Sequence, residues 1–249
     1  MSVIVIDPGH GGTKSISNDS SWNNATSISG VREKDLTLDL ARRIRWSLQA
    51  GSGKQRATAL GKKVTVVLTR ESDVNLSFKA RGGFVVQHRA AIFLSLHFNA
   101  SNTHTARGTE AWIDRKYVRP GVGSEGPGVP LSGLRNVNVA ADAALAGAVA
   151  QATYMALKDM DPKAALRSDS YAEETNGEAY APPAGVKMKG LGVLRDATLG
   201  TAANRCRAAL LEVDFIDTKA VDTLLCGANS EANRNALASA IAIALVEAA

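Results

Sequence analysis

Short continuous apolar runs alternate along the chain with longer segments that carry an apolar residue every three or four positions. The short runs are typical of strands buried on both faces of a sheet, and they predict strands at 3–6, 64–68, 92–96, 108–113 and 209–216. The longer segments predict helices at 33–49, 78–90, 138–159 and 230–248. Because strands and helices alternate, we expect an α/β fold, a single domain with a mostly parallel twisted sheet flanked by helices.

The ends of two predicted helices carry recognisable signals. The helix at 33–49 has acidic residues toward its start, at the positive pole of the helix dipole, and Gly51 to Gly53 follow it as a predicted loop. We expect Ser230 to cap the last helix, because a serine hydroxyl can accept a hydrogen bond from a free backbone N–H of the first turn.

Two polar stretches interrupt this alternation, around 114–135 and 161–190. The first is dense in Gly, Pro and Ser, and the second contains Pro182 and Pro183. Strands resume on each side of both stretches, so we expect long surface insertions within one domain spanning 1–249. Loops of this length often shape a binding groove.

Composition excludes several classes of protein. The chain has 249 residues, of which 45% are hydrophobic and 21% charged, as in a soluble globular protein. No run approaches the ~20 apolar residues of a membrane span, so we expect no stable membrane insertion. The net charge of +5 favours anionic partners, but aromatic residues are only 5%, which argues against a nucleic-acid stacking surface. Cys206 and Cys226 are too few for a disulfide framework, and we expect free thiols.

Two histidines follow predicted strands. His10 lies in the segment DPGHGG at 7–12, directly after the first strand, and His97 follows the strand at 92–96. In open α/β sheets ligands bind beyond the carboxyl ends of strands. Glu212 lies inside a third apolar strand, where a charge is costly unless it is paired, protonated or facing a metal. Two histidines and one carboxylate form a known type of catalytic zinc site, and the third ligand is either Glu33 or Glu212 on this reasoning.

Six segments, in this order, resemble the zinc-dependent N-acetylmuramoyl-L-alanine amidases, a family that includes bacterial cell-separation amidases and many phage endolysins. They are VIVIDPGHGG at 3–12, EKDL at 33–36, VLTR at 67–70, LSLHFNA at 94–100, GVLR at 192–195 and LEVDFI at 211–216. The resemblance implies that His10, Glu33 and His97 bind one Zn²⁺ and that Glu212 is the catalytic carboxylate. It also implies the reaction, cleavage of the amide between N-acetylmuramic acid and L-alanine in peptidoglycan.

Two other functions are kept as alternatives. The chain could be another zinc peptidase, which would cut within the stem peptide, or a catalytically silent wall-binding module that keeps the metal for structure. Glu212 argues against the silent module, because an inert metal site needs no second carboxylate.

The biological setting is inferred from what the chain lacks. We expect a phage or prophage endolysin, made in the cytoplasm without a visible signal peptide, with no separate wall-binding module, and acting as a monomer at the cell wall or periplasm after holin release. A bacterial amidase that has lost its signal is the alternative.

Three polar features match no ligand of the family. We expect His104 to be a surface loop histidine, and His88 has no assigned role. The acidic segment at 171–178 could block the zinc in the manner of an inhibitory plug, but we expect it to be solvated.

Overall fold

A six-stranded sheet with helices on both faces organises the chain in the computed structural model, which describes residues 1–114, 138–169, 182–199 and 206–249. Its strands are β1 (Ser2–Pro8), β2 (Val64–Leu68), β3 (Ile92–Asn99), β4 (Glu110–Ile113), β5 (Val186–Met188) and β6 (Arg207–Phe215). Its helices are α1 (Glu33–Gln49), α2 (Ser52–Ala59), α3 (Phe78–His88), α4 (Val139–Met160), α5 (Gly192–Arg195), α6 (Lys219–Cys226) and α7 (Ser230–Ala248).

The strand order is β2-β1-β3-β6-β4-β5, and most neighbours run parallel. β1 pairs in parallel with β2 and β3, and β3 with β6. β4 runs antiparallel to β6 and parallel to β5. The predicted α/β fold with a mostly parallel sheet is confirmed.

Alternation along the strands decides which side chains face which helices, because successive side chains point to opposite faces of a sheet. Ile6 and Leu94 belong to the larger core, which α1, α4 and α7 cover. Val5 and Phe93 belong to a smaller core with residues of α3 and α5. The face of the sheet that carries Val5 and Phe93 also carries polar residues near the carboxyl ends of the strands: Asp7, His97 and Glu212.

Helix α1 is held in place by its apolar side. Leu40 and Ile44 are buried in the larger core together with Ile241 and Leu245 of α7. Each such side chain contributes about 1.5–3 kcal/mol by leaving water. This packing fixes the start of α1, where Glu33 lies, at the edge of the sheet that carries the polar residues.

Three sequence predictions are wrong in detail. The segment predicted as a loop after α1 begins a short helix, α2, whose Gly53 N–H donates to the hydroxyl of Ser47 at 3.2 Å. Ser230 is the first helical residue of α7, and the residue at the cap position is Asn229, whose side chain makes no capping hydrogen bond. Residues 186–188, expected in a surface insertion, are buried as β5 because β4 extends the sheet to them.

Two predictions concern residues that lie mostly outside the described ranges. Most of the insertion around 114–135 and the acidic segment at 171–178 lie outside them. Cys206 is buried and Cys226 is partly buried, and neither forms a disulfide, as the sequence predicted. In the described part of the chain, no helix combines the length and apolar character that crossing a bilayer requires.

Candidate metal centre

The loop after β1 places His10 at the carboxyl edge of the sheet in an unusual backbone conformation. His10 has a φ of 61°, and Gly11 and Gly12 continue with φ of 133° and 70°. A non-glycine residue with positive φ is strained, so the surrounding structure must hold it. The buried guanidinium groups of Arg70 and Arg81 do so, donating to the carbonyls of Gly9 at 2.9 Å and His10 at 3.0 Å respectively.

Three side chains converge beside this loop. Glu33 Oε1 lies 3.1 Å from His10 Nε2 and 3.0 Å from His97 Nδ1. The two imidazole rings pack edge to face with centroids 4.8 Å apart. Gly9 makes room for this arrangement, because a Cβ there would lie 2.6 Å from His97 Nε2.

Glu33 is held as a buried carboxylate. It is 1% exposed, its Oε2 accepts the N–H of Ala25 at 3.0 Å, and its Oε1 accepts the N–H of Phe98 at 3.1 Å. Burial by itself would raise its pKa, but hydrogen bonds and charge interactions with His10 and His97 lower it to about 2. Burial also lowers the pKa of His97 and favours the neutral imidazole. A deprotonated carboxylate and neutral imidazoles are the forms that bind a metal.

The geometry fits a small tetrahedral metal ion. His10, Glu33 and His97 each offer a ligand atom, and these atoms lie within 4.8 Å of one another. Ligand atoms at zinc–ligand distances of about 2.0–2.2 Å in a tetrahedron are about 3.3–3.6 Å apart, and Glu33 Oε1 lies 3.1 Å from His10 Nε2 and 3.0 Å from His97 Nδ1. His10 Nε2 is shielded from solvent and faces Glu33 Oε1 at 3.1 Å, so its lone pair can serve a metal ion that both residues bind.

Glu212 lies next to this cluster but is not part of it. It pairs with His97 in the β3–β6 ladder and with Glu110 in the β6–β4 ladder. Its Oε2 is shielded from solvent and has no hydrogen-bond partner among the described residues. Burial, and then the negative charges of Glu33 and Glu110, raise its pKa well above the ordinary value. The site therefore holds one carboxylate that is fixed and ionised, and one that takes up a proton readily.

Residues 4–247 match the protein family described as N-acetylmuramoyl-L-alanine amidase. The chain belongs to this family. The resemblance noted from the sequence is therefore confirmed over nearly the whole chain.

Individual amidases give the extent of the similarity. The chain is 31% identical over 114 residues to the amidase LytC of Bacillus subtilis, covering 46% of this chain and 19% of LytC. It is 31% identical over 149 residues to AmiC of Neisseria meningitidis serogroup B, covering 55% of this chain and 31% of AmiC. The match thus spans less than a third of either relative.

A solved amidase structure shows the same fold. The catalytic domain of CwlV from Bacillus (Paenibacillus) polymyxa var. colistinus superposes with a TM-score of 0.61 at 22% identity, covering 99% of this chain and 97% of that one. The sheet and its flanking helices are therefore those of an amidase catalytic domain.

Several buried charges that support this amidase-family site were not predicted from the sequence. Arg81 pairs with Asp7 at 2.7 Å, although a lone arginine in a helix gives no signal that it turns inward. Glu110 is buried and forms ion pairs with Arg167 at 2.8 Å and Lys187 at 2.7 Å. A carboxylate inside an apolar strand is the signal that singled out Glu212, and it could have found Glu110 as well.

The cleft extends from the candidate metal centre in two directions. One cavity, of about 430 Å³, is lined by Phe78 and Trp112 together with charged residues such as Asp19, Arg81 and Lys189, and we call it the aromatic arm. The other cavity, of about 600 Å³, is lined by amide and hydroxyl side chains, and we call it the polar arm. These side chains belong to Asn24, Thr26, Asn99, Ser101 and Asn102. His97 and Glu212 line both cavities. A chain-like substrate can therefore pass the centre with a different surface on each side.

Proposed function

We propose that the chain hydrolyses the amide between the lactyl group of N-acetylmuramic acid and L-alanine in peptidoglycan, with one zinc ion held by His10, Glu33 and His97. The observation that carries the proposal is the buried cluster of these three side chains, opening on a cleft beside Glu212. Membership of the amidase family supplies the bond that is cut.

The first task of the protein is to present the ligand atoms. The carbonyl of Ser21 lies 3.0 Å from His10 Nδ1 and can accept its proton, which leaves the Nε2 lone pair for the metal. Glu33 is already ionised because of its lowered pKa. Zinc bound there supplies a Lewis acid that polarises a carbonyl oxygen and acidifies water.

The second task is to move a proton, and Glu212 is the group placed to do so. Its carboxylate accepts a proton as water attacks the scissile carbonyl, and the same carboxyl donates that proton to the departing nitrogen of L-alanine. The C–N bond breaks as the nitrogen becomes an amine. The raised pKa of Glu212 suits the second step, because a carboxyl group that retains its proton can donate it.

Digestion of purified peptidoglycan, followed by mass spectrometry, tests the proposal. Wild-type protein with zinc is expected to release stem peptides that begin at L-alanine, and a chelator should stop the release. Glu212→Gln should bind zinc as the wild type does but lower kcat by roughly 10²–10⁴-fold. Glu247→Gln, at an exposed carboxylate on α7, is the matched control and should leave turnover unchanged. Fragments cut within the peptide would instead favour the zinc peptidase.

We further propose a lytic setting, in which a phage or prophage supplies the protein and a holin releases it to the wall. The net charge of +5 supports binding to an anionic wall. Co-expression with a holin in a Gram-negative host should lyse the culture, while Glu212→Gln with the same holin should not degrade the wall. Equal release of wall fragments by the two proteins would contradict this setting.

A further inference from the structure

His104 and Asp217 form a pair in the loops that follow β3 and β6. Asp217 Oδ2 lies 2.9 Å from His104 Nδ1 and also accepts the N–H of Ser101 at 2.9 Å. Asp217 is buried, whereas the side chain of His104 is 69% exposed. The carboxylate thus anchors an imidazole whose other side faces outward.

This pair lines the polar arm of the cleft, the cavity that Glu33, His97 and Glu212 also line. The sequence predicted a surface loop histidine at position 104, and its exposure agrees with that prediction. Its location adds something that the sequence did not show, because the exposed ring stands beside the path that a substrate would take from the candidate metal centre.

The His104–Asp217 pair has two features that cost free energy of folding. His104 has a φ of 54°, in the left-handed region that non-glycine residues avoid. Asp217 is a buried carboxylate whose Oδ1 has no hydrogen-bond partner among the described residues. Strain and unsatisfied polar groups of this kind concentrate at functional sites. With a proton on Nδ1 directed to Asp217, Nε2 of the neutral ring is an acceptor.

The lining of the polar arm indicates what that acceptor would meet. Its amide and hydroxyl side chains, such as Asn24, Thr26 and Ser101, are neutral donors and acceptors, which suit the hydroxyl and acetamido groups of a sugar. The aromatic arm combines aromatic and aliphatic surface, from residues such as Phe78 and Leu191, with charged groups such as Lys189, which suits a peptide that has both alkyl and charged parts. The two arms therefore match the two halves of a glycan–peptide substrate.

We propose that His104, oriented by Asp217, binds the glycan part of the substrate by accepting a hydrogen bond, in the polar arm, from a hydroxyl of a sugar residue beyond the N-acetylmuramic acid that carries the peptide. This inference rests on the proposed amidase function. His104 is then a substrate-binding residue, and Asp217 is a positioning residue that acts through it.

Steady-state kinetics on two substrates tests the role of His104. One substrate is a muramoyl-peptide that carries further sugar residues, and the other is the same muramoyl-peptide without them. His104→Asn keeps a residue that tolerates positive φ but shortens the side chain. Loss of one hydrogen bond should raise KM for the glycan substrate by about 3- to 10-fold, with kcat and the KM of the short substrate unchanged. His88→Asn, at a histidine on α3 away from both cavities, should change nothing.

Asp217→Asn tests the positioning role. It should raise the KM for the glycan substrate as His104→Asn does, and the double variant should be no worse than either, because both changes remove one interaction. An unchanged KM for the glycan substrate in His104→Asn, or an equal rise on both substrates, would overturn the proposal.

Direct binding separates this inference from the proposed function. A disaccharide of N-acetylglucosamine and N-acetylmuramic acid, titrated into Glu212→Gln by calorimetry, should bind more weakly when His104→Asn is added. Equal affinity with and without that second change would overturn the role of His104 even if the wild type is an active amidase. If the wild type cleaves neither substrate, the proposed function fails, while the calorimetry still reports on the sugar site.

Discussion

Replacing Arg81 with methionine removes the buried cation that holds the His10 loop, and keeps an unbranched side chain in place of the apolar part of the arginine. Arg81 is 1% exposed, and its guanidinium donates to Asp7 Oδ1 at 2.7 Å, to the carbonyl of Pro8 at 2.9 Å and to that of His10 at 3.0 Å. Methionine makes none of these bonds. Asp7 would be left as a buried carboxylate that keeps only the hydroxyl donors of Thr69 and Ser95.

The expected cost follows from this geometry. Breaking a buried ion pair by removing one partner typically costs about 3–5 kcal/mol, because the other charge stays buried. For a chain of this size, each kcal/mol shifts Tm by roughly 2–4 °C, so Arg81→Met should lower Tm by about 6–20 °C. The strained φ of His10 loses support as well, so zinc affinity should fall with stability.

Urea and thermal unfolding of the metal-free proteins, followed by circular dichroism, measure this cost. Arg56→Met is the matched control, because Arg56 pairs with Glu247 at the surface and exposed pairs contribute about 0–1 kcal/mol. Adding Asp7→Asn to Arg81→Met should recover part of the loss, since the stranded charge is removed. Equal stability of Arg81→Met and Arg56→Met would refute the reasoning.

Three further predictions concern the cluster itself. Gly9→Ala should displace the ring of His97 and weaken zinc binding in a competition assay, and unchanged affinity would contradict the observed packing. Glu212→Gln should raise the Tm of the metal-free protein at pH 7–8. Folding raises the pKa of Glu212, so the free energy of unfolding of the wild type falls as pH rises above the ordinary value of 4.5, and glutamine removes this loss. A lower Tm would count against this. Glu33→Gln should lower the Tm of the metal-free protein, because the lowered pKa of Glu33 stabilises the metal-free fold above pH 4.5. In calorimetry, the difference in Tm between wild type and Glu33→Gln should disappear as pH falls through about 2.

The sequence predicts the central part of the fold because apolar runs are long and unambiguous there. The strands β1, β2, β3 and β6 and the helices α1 and α7 all coincide with such patterns. Helix α2 was missed because its sequence, SGKQRATA, carries little apolar periodicity and gains its place by packing against α7. Strand β5 has three residues, too few to show a period, and only its pairing with β4 defines it.

The candidate site was predictable where a residue's position along a strand determines its direction. His10 follows β1 and His97 lies near the end of β3, and the carboxyl ends of these strands meet at one edge, so their proximity could be inferred. Spacing alone could not choose between Glu33 and Glu212 as the third member, since the packing of α1 decides it. The inward orientation of Arg81 was also beyond the sequence, because it depends on Asp7 lying opposite in the folded sheet.

The separation of the cluster and Glu212 along the chain affects the order in which the site is completed during synthesis. His10, Glu33 and His97 all lie within the first hundred residues, whereas Glu212 enters with β6. The apolar side of α1, which positions Glu33, packs on strands β1, β2 and β3 and is covered by α7, the last helix. A growing chain therefore contains all three residues of the cluster before α7 covers α1, and Glu212 is added shortly before α7. An incomplete chain would thus hold the three proposed metal ligands without the packing of α7 and without the carboxylate that the proposed hydrolysis requires.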